Sequence, residues 1–324
     1  MTNLQAQIGG RDRQISAGAG ALGDWIELIG LVALRGQILS RISDYELAEA
    51  VSEQLTSHAP TNGEAFVARA GARSKFHRFA EAFADLDKAE QLGADRDRLD
   101  AERANVFQAV GRYDEAFALY DAIAKRRTDF DSLGALAVLH AERGETAAAE
   151  DLFDESLACY RGVSPFGPAF LDFARAHMWL VHSNRCEARK WLEAAVSLLP
   201  AYATAQGHLA EIEAELGAHD AAVSRLLPLA NASDDPEYTV SLARILKGAG
   251  QVGAADRWRR IAATRYDELM TRHPEAFADH AAEFWLWAGD VDRAGHLAKL
   301  NLGVRNTPRA RELFARVGVA RTLT

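Results

Sequence analysis

The strongest constraint on this chain is an alanine that returns at a nearly fixed interval, each time early in a helical run that follows a short turn. It falls at Ala48, Ala82, Ala116, Ala149, Ala188, Ala222, Ala255 and Ala294, with successive differences of 34, 34, 33, 39, 34, 33 and 39 residues. A period of this size marks an array in which each unit is one supersecondary hairpin that buries its apolar face only by stacking on its neighbours. The surroundings of the anchor repeat as well. Gly111 to Ala116 is the clearest version, and Gly144 to Ala149, Gly217 to Ala222, Gly250 to Ala255 and Gly289 to Ala294 match it. The glycine ends one helix where a left-handed residue is needed. The polar residue after it starts the next helix, and the alanine lets two helices approach closely. Twelve residues before the anchors stand Ala70, Ala104, Ala137, Ala176, Ala210, Ala243 and Ala282. Four residues after them come larger side chains: Leu86, Tyr120, Phe153, Leu192 and Leu226.

These residues resemble the tetratricopeptide repeat family over roughly residues 29 to 306. The resemblance implies an all-α fold, an α-α superhelical solenoid of about eight helical hairpins with a C-terminal capping helix. Two departures stand out: the first unit has Ser43 where the turn glycine belongs, and the aromatic residue expected early in the first helix is mostly missing. The organisation expected is a mobile lead-in over 1–22, a repeat array over 23–306 and a capping helix over 307–324. In that last helix Leu313, Phe314 and Val317 face the last repeat. The two 39-residue intervals hold an irregular Pro/Gly loop at 161–168 and one long second helix over 256–272, ended by Pro274.

Composition bounds the function. Of 324 residues, 48% are hydrophobic and 26% charged, enough apolar material for a continuous core. A net charge of -9 repels phosphate backbones, so nucleic acid is not the expected partner. Two cysteines, Cys159 and Cys186, make no disulfide framework and fit a reducing compartment. The first residues show no basic and apolar signal pattern, and the most apolar early stretch, Trp25 to Leu39, carries Glu27 and Arg35. A cytoplasmic protein without membrane insertion is expected.

By the resemblance, the first helix of each hairpin lines a concave groove that binds a peptide or partner protein. Residues fourteen and eleven before each anchor point there, one helical turn apart. In the N-terminal half these include Ala68 with Gly71, Glu102 with Asn105 and Ala135 with Val138. In the C-terminal half they include His177, His208 with Glu211, Ser241 with Arg244, and His280 with Glu283. Trp287 shares that periodicity, beside Phe277, Phe284 and Trp285. The candidate partner-binding set is therefore His177, His208, Glu211, Arg244, His280, Glu283 and Trp287. The lysine, asparagine and arginine clamp that some family members use on a C-terminal carboxylate is absent; Asn105 alone stands in register. Arg257, Arg259, Arg260 and Arg265 form a basic run read as a solvated outer face.

Two other readings remain open on the sequence. The C-terminal histidines and aromatics could form a pocket for a small molecule or sensed peptide. Alternatively, His177, His208 and Glu211 could ligate a metal, since imidazoles and a carboxylate suit zinc or iron. No phosphate-binding glycine loop, nucleophile elbow, paired-histidine zinc motif or Cys-x-x-Cys appears, so no catalytic residue and no cofactor is assigned.

Overall fold

A computed structural model describes residues 1–322. After α1 (Thr2–Ser16) come eight hairpins, and the array closes with α18 (Pro308–Thr322). The hairpins are α2–α3 (Leu22–Leu39, Ile42–His58), α4–α5 (Gly63–Lys75, Phe79–Gln91), α6–α7 (Arg96–Ala109, Tyr113–Arg126) and α8–α9 (Phe130–Glu142, Thr146–Cys159). They continue with α10–α11 (Phe166–Val181, Arg185–Leu198), α12–α13 (Ala203–Glu215, His219–Ala232), α14–α15 (Glu237–Gly248, Val252–Arg272) and α16–α17 (Pro274–Ala288, Val291–Val304). The described residues contain no strand. The fold is an all-α superhelical solenoid.

Local chemistry sets the helix starts. Asn62, Asp95, Asn184 and Asp290 each accept a backbone N–H from the first turn of the following helix, and Asp129 closes a capping box with Ser132. The anchor alanines sit at the helix crossings: all eight are buried, seven of them with 1% exposure or less. The alanines twelve residues earlier, from Ala70 to Ala282, are fully buried too, so small residues meet where the two helices of a hairpin cross. The larger residues that follow the anchors fill the space around the crossings; Leu86, Leu192 and Leu226 are inaccessible to solvent.

Four details differ from the sequence expectation. The segment read as a mobile lead-in forms α1, whose Leu4 and Ile8 are buried in the cluster that includes Leu28 and Val32. The irregular loop is shorter than 161–168, because Phe166, Gly167 and Pro168 already belong to the first turn of α10, where proline is tolerated. The first turn residue in the left-handed region is Ser40 (φ 47°), three positions before Ser43. In α18, Leu313 and Val317 are buried while Phe314 is 43% exposed, so the helix turns Phe314 away from the last repeat. The last two residues of the expected cap, 323–324, lie outside the described residues.

The superhelix meets itself after one turn. The α2–α3 turn touches the α13–α14 loop, where the backbone N–H of Ile42 donates to Asp234 at 2.6 Å, and Ser40 Oγ lies 2.5 Å from the Tyr238 hydroxyl. The α4–α5 turn touches the α15–α16 turn, with His77 Nδ1 3.0 Å from the Glu275 carbonyl and the rings of Phe76 and His273 stacked at 3.9 Å. The α6–α7 turn touches the α17–α18 turn, where Asn306 N–H donates to the Val110 carbonyl at 3.3 Å. These contacts join residues 192, 198 and 196 apart (306 minus 110 for the last). Each pairs helices eleven apart in the chain: α3 with α14, α5 with α16, α7 with α18. One superhelical turn thus takes about five and a half hairpins, and a seam of successive turns closes it. The accessible surface, 15063 Å², exceeds the roughly 13,000 Å² of a compact monomer of this mass. A wetted inner wall accounts for an excess of this sign.

Candidate functional site

The inner wall gathers ionisable side chains from the first helices of successive hairpins. On α12, His208 Nδ1 stands 3.1 Å from Glu211 Oε2, and Ser241 of α14 donates its hydroxyl to Glu211 Oε1 at 2.8 Å. An i, i+3 spacing on one helix makes the first pair, and the adjoining first helix supplies the second. Burial opposes charge on both groups, but their mutual attraction and hydrogen bond prevail: the His208 pKa rises and that of Glu211 falls. His177, on α10, lies beyond Phe173, whose ring is 6.4 Å from His177 and 5.7 Å from His208. Burial, reinforced by the charge of His208, pushes the His177 pKa down to about 4, so it is neutral at physiological pH.

Farther along, α16 presents Asp279, His280 and Glu283. His280 Nε2 is 3.6 Å from Asp279, whose charge raises the His280 pKa. Asp279 also pairs with Arg305. Burial would lift the Asp279 pKa, but His280 and Arg305 overcome it and bring it to about 2. Glu283 reaches Arg309 at 3.6 Å, and its carbonyl accepts from Arg244 at 3.3 Å. Arg244 and Lys247 both lie over the Trp287 ring, at 5.4 and 5.5 Å from its centroid. Trp287 is therefore half-covered by cations and by Phe284, 6.2 Å away.

Two groups of the predicted set come together, His177 with His208 and Glu211, and Arg244 with Glu283 and Trp287. His280 belongs to neither and pairs with Asp279. Arg309 connects much of this wall. From the start of α18 its charge acts on Glu142, His177, His208 and Asp279, on α8, α10, α12 and α16. The count from the anchors missed Arg309, Arg305 and Asp279 because it stops at positions fourteen and eleven and does not extend into α18. It missed His77 because only the seam brings that turn to Asp279 and Arg305, whose charges act on it.

The alternative readings fare differently. No group of three or more His, Cys, Asp or Glu side chains that could hold a metal ion is found among the described residues. A hollow of only about 10 Å³ does open between α12 and α14, lined by Thr204, Gly207, His208, Glu211, Glu237, Tyr238 and Ser241. It falls below the roughly 300 Å³ at which pockets for drug-sized ligands begin. The aromatic cluster does not line it: Trp285 stacks under Arg293 at 3.8 Å, and Trp287 is covered as described. No helix among the described residues is long and apolar enough to cross a membrane.

No protein-family model and no curated protein matches the chain. Solved structures do. Human IFIT1 with PPP-AAAA superposes with a TM-score of 0.59 at 16% identity, covering 94% of this chain and 73% of that one. A monomeric IFIT1 mutant with m7Gppp-AAAA gives 0.59 at 14% identity, over 98% and 76% of the two chains. The APC/C hetero-tetramer Cut9-Hcn1 gives 0.57 at 11% identity over 91% of this chain, which spans about half, 55%, of the chain it matches. At such identities the likeness concerns the fold. The repeat period, the buried alanine crossings and these superpositions agree that this chain has the superhelical fold of the tetratricopeptide-repeat proteins.

Proposed function

We propose that the chain is a protein-interaction scaffold whose inner wall, from α10 to α18, receives an extended segment of a partner protein. The observation that carries this reading is the state of the wall's polar groups: they are surrounded by protein yet wet. The side chains of His208, Glu283, His280, Glu211 and Arg309 keep 25, 26, 33, 44 and 57% of their exposure. A partner backbone or side chain can displace water from such groups and keep their hydrogen bonds satisfied.

The superposed IFIT1 structures carry PPP-AAAA and m7Gppp-AAAA, so a nucleic acid in the channel is the rival reading. Charge weighs against it. The wall and its rim bring Glu142, Glu211, Glu237, Asp279 and Glu283 near Arg244, Arg305 and Arg309, and carboxylates in that number repel a phosphate backbone.

The test is a titration against whichever protein a pull-down recovers. Trp287→Ala and Arg244→Ala on the wall should weaken binding, the tryptophan by about 2 kcal/mol or more. Arg257→Ala and Arg260→Ala on the exposed face of α15 should leave it intact. Loss of binding in the α15 pair, with the wall pair unaffected, would contradict the proposal.

A further inference from the structure

The eight hairpin turns each contain one residue with positive φ: Ser40, His77, Gly111, Gly144, Ser183, Gly217, Gly250 and Gly289. Glycine is the default there because a side chain is strained in the left-handed region. Of the three exceptions, Ser183 lies away from the seam, between α10 and α11. Ser40 and His77 both lie on it, and both use the side chain that causes the strain to bond across it, to Tyr238 and to the Glu275 carbonyl. A strained residue persists where its surroundings reward it.

The loop facing Ser40 is equally specific. Ser233 Oγ donates to the Ser40 carbonyl at the end of α2, at 2.5 Å. The next residue, Asp234, accepts the N–H groups of Ile42 and Ser43 at 2.6 and 2.9 Å, at the start of α3. Arg41, the local cap position of α3, makes no side-chain cap. Both helix ends of the first turn are therefore satisfied from 191 to 193 residues away. At the third contact the approach is backbone on backbone: a Cβ on Gly111 would lie 2.8 Å from the Asn306 carbonyl oxygen. Apolar support between the turns comes from a small cluster of Ile42, Phe76, Leu269 and Ala276 beside the first two contacts, and from the larger cluster that joins Val32 and Ile38 of α2 to Tyr202 and Leu209 at α12. The three turn contacts themselves are mainly polar and local, and contacts of that kind are those about which parts of one chain move.

We propose that these three turn-to-turn contacts form a clasp that holds the superhelix shut over its inner wall, and that release of the clasp admits a bulky partner to the channel. The clasp does not depend on which partner binds, so its test uses none.

In a Cys159→Ser, Cys186→Ser background, nitroxide labels at Ala80→Cys and Thr271→Cys, both exposed, straddle the second contact. Pulsed electron resonance should give one short distance for the parent. His77→Gly removes the bond to Glu275 while relieving the turn, so the hairpin itself is not weakened. Combined with Asp234→Ala, it should enlarge the population at long distance at least about fivefold, the factor that a lost helix cap is worth. In a separate chain, the thiol of Asn105→Cys on the inner wall reports access. Its reaction with a bulky polyethylene-glycol maleimide, relative to N-ethylmaleimide, should speed up by a similar factor in the clasp variants. Should the folded variants keep the parent's distance distribution, the contacts are not a clasp. Should the distances lengthen while the ratio of reaction rates stays fixed, the clasp does not gate the channel.

Discussion

The carboxylate of Asp234 caps a helix that begins 192 residues before it, accepting the N–H of Ile42 at 2.6 Å. A charged acceptor at a helix N-terminus satisfies orphan donors and meets the positive end of the helix dipole. Asp234→Ala should therefore destabilise the protein by about 1–2 kcal/mol in chemical denaturation, the range of strong caps. Asp234→Asn, which keeps an acceptor without the charge, should lose less. Equal losses for the two would show that the cap is purely electrostatic.

Gly111 and Gly144 separate turn strain from seam contact. Both have positive φ, 85° and 77°, but a Cβ at Gly144 meets nothing within 4 Å whereas one at Gly111 runs into Asn306. Gly144→Ala should cost about 1–2 kcal/mol from the left-handed backbone alone. Gly111→Ala should cost about 1 kcal/mol more, because the α17–α18 turn must move as well. Thermal melts of the two variants, side by side, give the difference.

Ala116 has no exposure at a helix crossing, so Ala116→Leu should destabilise by about 1–3 kcal/mol through overpacking. Asp114, nearby on the surface with an exposed pair to Arg143, should tolerate alanine with a far smaller change in melting temperature. A leucine variant that melts with the parent would mean the crossing has room that the alanine register denies.

Asp235 provides a pH test. Burial, reinforced by the neighbouring charge of Glu237, raises its pKa to about 7, above the ordinary carboxylate value. The folded state thus holds this proton more tightly than the unfolded chain. Its contribution is fully present below the unfolded pKa and is lost as pH rises through about 7. Asp235→Asn stays neutral, so it should raise stability at about pH 8, by about 1 kcal/mol or more, and change little near pH 4. Denaturant curves at both pH values check the sign; a variant less stable at the higher pH would refute this assignment.

Much of the hairpin architecture was legible in the sequence because alanine spacing reports helix crossings directly. Ala82, Ala116 and Ala149 occupy the same place in successive hairpins, and five of the eight turns show their glycine. The first turn was misplaced at Ser43 because its capping groups, Ser233 and Asp234, come from the far end of the array, and no local pattern signals them. α1 was missed for a similar reason: its polar sequence buries only Leu4 and Ile8, too few for a visible apolar stripe. Within the candidate site, the pairing of His208 with Glu211 follows from their spacing on one helix. The presence of Arg309 beside them does not, because it depends on how far the superhelix winds.

The winding itself is the most direct test, since the clasp and the enclosed wall both depend on it. Small-angle X-ray scattering of the monomer measures it without labels or partners. The closed superhelix should have a radius of gyration close to the value of about 20 Å for a compact chain of this length. A radius about half as large again would be that of an open solenoid, with the α2–α3 turn far from Asp234, and would contradict the account.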